Sequence, residues 1–70
     1  MRTFDELADL FGVTKEQMAR LRKEPPEAVA LVEKEMRGVE VELERMFGGI
    51  DAGVAAQARK MVQLLFGERN

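Results

Sequence analysis

"LADLFGVTKEQMARL", residues 7–21, sets apolar residues at helical spacing on both sides of one glycine. Upstream of Gly12, Phe4, Leu7, Ala8 and Phe11 recur every three or four residues and form one inner face. Thr3 followed by Glu6 is a capping-box pattern that opens this first helix. Gly12 supplies the positive φ that ends it. Thr14 followed by Gln17 is a second capping box, predicting a second helix to about Lys23. Two helices crossing this sharply need a small contact residue, a permissive turn residue and an apolar plug. Ala8, Gly12 and Val13 meet those needs, and Met18 and Leu21 point the second helix inward.

Working outward, Pro25-Pro26 ends the second helix and supplies the first residues of a third, which runs to about Phe47. Gly48-Gly49 stops it, Asp51 caps a fourth helix, and that helix ends near Phe66 with Gly67 beyond. There is no strand signal and no repeat. The expected fold is all-α: one four-helix small domain over residues 1–70. Its two parts are the helical corner of residues 1–24 and an antiparallel helical hairpin over residues 25–70. Val29, Val32, Met36, Val39, Leu43 and Met46 step by three and four along the third helix, the spacing of a coiled-coil seam. This seam either packs on the fourth helix, through Val54, Ala58, Met61 and Leu65, or serves for dimerisation. The Gly-Gly turn favours the first role, and a four-helix dimer of two hairpins accommodates both. Glu33 and Arg37 form an i,i+4 pair beside the seam, and Gly38 interrupts the helix at a cost of about 1 kcal/mol relative to Ala.

A chain of 70 residues buries a modest core, and without Cys it has no disulfide or thiolate metal site to help. Oligomerisation is therefore expected. Ser, His, Cys, Tyr and Trp are all absent, which removes most nucleophiles and acid–base groups and argues against an enzyme. Glu33, Glu35, Glu40, Glu42 and Glu44 read as a solvated helix face rather than a cation site, so no metal and no cofactor is expected. Asp5, Glu6 and Asp9 interrupt any signal peptide, and the longest run of Ala, Val and Leu, "AVALV", is too short for a membrane span. A cytoplasmic location is the default. The net charge is −2, but acid is concentrated in the middle of the chain. Residues 14–23 carry four basic side chains against one acidic.

Residues 4–23 resemble the helix-turn-helix of phage and bacterial DNA-binding proteins, on the strength of Ala8, Gly12, Val13, Met18 and Leu21. The early start of the motif is most similar to phage terminase small subunits and excisionase-like proteins. Those usually add a β-wing, for which no strand exists here, and Met18 stands where a β-branched residue is common. The resemblance implies a DNA-binding regulator whose partner is double-stranded DNA, with the second helix in the major groove. Thr14, Lys15, Glu16, Gln17, Ala19 and Arg20 would then face bases, with Lys15 and Arg20 suited to guanine, Gln17 to adenine and Glu16 to cytosine. Arg22 and Lys23 would meet phosphates. A homodimer would match a palindromic or directly repeated site. The alternative is a helical protein–protein interaction module with no DNA role, its partner held by the acidic third helix or the apolar seam.

Overall fold

The computed structural model describes residues 2–67, which form four helices and no strand. They are α1 (Phe4–Leu10), α2 (Lys15–Leu21), α3 (Pro26–Phe47) and α4 (Ala52–Leu65). Both predicted capping boxes are made. The Thr3 N–H donates to Glu6 Oε1 at 2.8 Å, and the Glu6 N–H donates back to Thr3 Oγ1 at 3.1 Å. The Thr3 N–H first, and then the Thr3 hydroxyl, hold the Glu6 carboxyl below its ordinary pKa. Thr14 and Gln17 repeat the exchange at 3.0 and 3.1 Å. Gly12 ends α1 at φ +74° and Gly48 ends α3 at φ +75°, while the Asp51 carboxylate caps α4 through the Val54 N–H at 2.9 Å. Regular helix in α2 stops at Leu21, short of Lys23. The Lys23 and Glu24 N–H groups reach back to Arg20 and Leu21 as tight turns that lead into Pro25.

All four helices meet at one small core. Leu7, Phe11, Met36 and Val62 are its largest fully buried side chains, and Met18 and Leu21 close it from α2. The chain is a slab of 34 × 27 × 15 Å, so few positions lie far from solvent.

The α3 seam turns into this core rather than outward. Met36 is fully buried, Val29, Val32, Val39 and Leu43 pack against the cluster, and only Met46, 68% exposed, remains available to a second molecule. Within the chain the seam therefore packs mainly on the core: Met36 is buried, and Val29, Val32, Val39 and Leu43 are half-buried. On α4 the fully buried residues are Ala55, Ala58 and Val62: of the expected Val54, Ala58, Met61 and Leu65, Ala58 is buried, Leu65 packs against the core, Val54 is half-buried and Met61 stays outside. Gln63 pairs with Gln17 of α2, and Val62 joins the core that Met18 and Leu21 close.

Glu40 departs from the solvated acidic face. It lies at the core's edge, 9% exposed, and its Oε2 accepts from Arg2 Nη1 at 2.8 Å. The same pairing raises the Arg2 pKa. Arg37 completes the join, donating to the Arg2 carbonyl at 3.0 Å and to Glu33 at 2.9 Å. These contacts fasten the start of the chain to α3.

Two glycines should respond in opposite directions to Ala, measured by urea denaturation. Gly12→Ala places a Cβ at positive φ and 3.0 Å from Arg59 Cδ, and should lose about 1–2 kcal/mol. Gly38→Ala meets nothing within 4 Å and should gain up to about 1 kcal/mol from helix propensity alone.

Candidate nucleic-acid interface

The corner of α1 and α2 is held from outside by α4. Ala8 allows the close crossing, and its carbonyl accepts from the Val13 N–H at 2.8 Å, which fixes the exit from the turn. Gln63, on α4, then donates from Nε2 to the Gly12 carbonyl at 3.2 Å and to Gln17 Oε1 at 3.1 Å. Gln17 Nε2 returns a hydrogen bond to Gln63 Oε1 at 2.6 Å. The two amides thus pair face to face. Beside them the Arg59 side chain crosses the turn, its Cδ and Nε at 3.0 and 3.1 Å from where a Gly12 Cβ would be.

This clamp corrects one expected base-reading residue. Gln17 is 5% exposed and faces α4, so it is not positioned to pair with adenine. Its Oε1 already accepts from the Thr14 N–H and from Gln63. The capping box carried that signal: a Gln that caps its own helix folds back on the backbone and cannot also extend outward. Thr14 is exposed, but its hydroxyl is engaged in the same cap.

The remaining expected positions are exposed: Lys15, Glu16, Ala19, Arg20, Arg22 and Lys23. Helical spacing puts Lys15, Ala19 and Lys23 along the middle of this face, with Glu16 and Arg20 on one flank and Arg22 on the other. Arg22 is paired, its Nη2 lying 2.9 Å from Asp5 Oδ1 of α1. The pair is mostly exposed, so it is weak and can re-form elsewhere at little cost. Asp9 joins Asp5, Lys15 and Arg22 along the shallow groove between α1 and α2, so the α1 side of the face is of mixed charge. The net positive character lies toward Arg20 and Lys23.

Gln63 and Arg59 were not legible as parts of this corner. They lie 46 and 47 positions beyond Gln17 and Gly12, and no local pattern links them. Among the described residues no cluster of carboxylates is placed to hold a metal ion, and no helix is long and apolar enough to cross a membrane.

No family model, curated protein or solved structure matches the chain. The geometry of the corner is therefore the basis for a functional reading.

Gln17→Ala and Gln63→Ala should each destabilise the fold by about 1–3 kcal/mol, because either change leaves buried amide groups unpaired. A double-mutant cycle in urea should show the double variant less destabilised than the sum of the two.

Proposed function

We propose that this chain binds duplex DNA, with α2 entering the major groove from the corner it forms with α1. The observation that carries this reading is the division of α2 into two sides. Gln17, Met18 and Leu21 fix its inner side to the body of the protein, while Lys15, Glu16, Ala19 and Arg20 stand outward on a rigidly held helix. A helix that reads base edges needs a locked position and a projecting polar face. Ala19, in the middle of that face, lets the helix approach the groove floor. Arg20 is suited to guanine and Glu16 to cytosine, while Lys23 and the exchangeable Arg22 neutralise phosphates. With Gln17 withdrawn, fewer side chains reach bases than the sequence implies, so a larger share of the affinity is electrostatic.

The test is fluorescence anisotropy with a labelled duplex across a salt series. Binding should weaken steeply as salt rises. On a selected site, Arg20→Ala should lose about 1–3 kcal/mol and relax base preference, whereas Lys23→Ala should weaken all sequences alike. A folded protein that binds no duplex at low salt would overturn the reading.

A second reading, compatible with the first, is self-association through the hairpin. It is favoured by a groove between α3 and α4 lined by Val39, Leu43, Met46, Phe47 and Met61, with Gly38 opening onto it. Met46, Phe47 and Met61 are 68, 52 and 57% exposed, which is unusual for large apolar side chains gathered in one place. Sedimentation equilibrium should give twice the chain mass, and Met46→Glu should return it to the chain mass. A wild-type protein that stays monomeric at high concentration would exclude a homodimer.

A further inference from the structure

Arg59 lies outside the basic stretch of residues 14–23, yet the fold brings it to the same corner. Its stem lies across Gly12, with Cγ, Cδ and Nε all within 3.3 Å of the position a Cβ would take. No other described glycine is so closely covered. The missing side chain thus does two things: it permits the positive φ of the turn, and it leaves a seat for the Arg59 stem. Arg59 is exposed, and its seat lies two residues ahead of the Thr14 cap. Among the described residues no carboxylate pairs with Arg59. Arg22, by contrast, is partly neutralised by Asp5.

We propose that Arg59 binds a backbone phosphate of duplex DNA at the turn that leads into α2. The inference rests on the reading of α2 as the groove-entering helix. A helix in the major groove with its N-terminal half toward the bases carries the preceding turn to the lip of the groove, where phosphates line the edge. A guanidinium held there can take two phosphate oxygens at once. Because the stem is already seated on Gly12, part of the ordering cost is met before DNA arrives. The interface then has cations at both ends of α2, Arg59 and Lys15 at one and Lys23 at the other. Arg59 is a positioning residue: it sets register and orientation and does not read bases.

The experiment compares Arg59→Met, Arg59→Lys and Lys60→Met with wild type. Each variant is titrated with a fixed labelled duplex over a salt series, with thermal melting recorded in parallel. Met keeps the stem over Gly12 and removes the charge, so Arg59→Met should melt as wild type does. Its dependence of log K on log salt should be shallower by about one unit, and its low-salt affinity roughly three- to tenfold weaker. Arg59→Lys should keep the wild-type slope, and Lys60→Met should change little. A wild-type slope in Arg59→Met would overturn the proposal. So would an equal loss in Lys60→Met, which would make the effect one of net charge. Absence of any salt-sensitive binding by wild type would instead remove the DNA reading on which the proposal stands.

Discussion

The paired amides of Gln17 and Gln63 are the contact on which the rest of the corner depends. Two seven-residue helices have little stability of their own, because nucleating a helix is costly and seven residues repay it poorly. Caps at Thr3 and Thr14 satisfy the first N–H groups but do not set the angle between the helices. Gln63 adds to the local turn by tying the Gly12 carbonyl and the Gln17 amide together. Such a pair sits in a partly dry environment where an unmade hydrogen bond is expensive, so it selects one arrangement of α1 and α2. The described part of the chain leaves no buried side-chain polar atom without a partner.

Inner and outer residues divide sharply in consequence. Charged groups near the core are paired, as with Arg2 and Glu40. Those on the open side of α2 are exposed, and the acidic surface of α3 lies on a separate helix. A protein of net negative charge can then still present a cationic face, provided that face is built locally and kept away from the acid. Asp5 and Asp9 limit how far this goes, since they moderate the flank of α2 nearest α1.

Much of the fold was legible because its punctuation is local. Thr3, Thr14 and Asp51 each cap the helix they precede, and Gly12 and Gly48 adopt positive φ where the spacing demanded it. Which face of each helix turns inward was less legible. On α3 the apolar step of three and four pointed to the core, the role the Gly-Gly turn favoured, while also fitting a dimer seam. On α4, Ala55 and Ala58 are buried while the larger Met61 stays outside, so residue hydrophobicity alone did not rank them. The corner's outward face was recovered except at Gln17, where the capping role already excluded an outward one. Arg59 and Gln63 were hidden because their role arises only from packing across the full length of the chain.

That long reach has a bearing on the order of events in folding. Most of the backbone hydrogen bonding is local, and helices of this kind form quickly. The lock on the first turn, however, joins residues 46 positions apart, and closing so large a loop must follow or accompany docking of the last helix. As the chain leaves the ribosome, α1 and α2 can form and fray repeatedly, held only by their local turn until α4 arrives to clamp them. The clamp on the N-terminal corner is thus acquired last, although the corner's residues are made first.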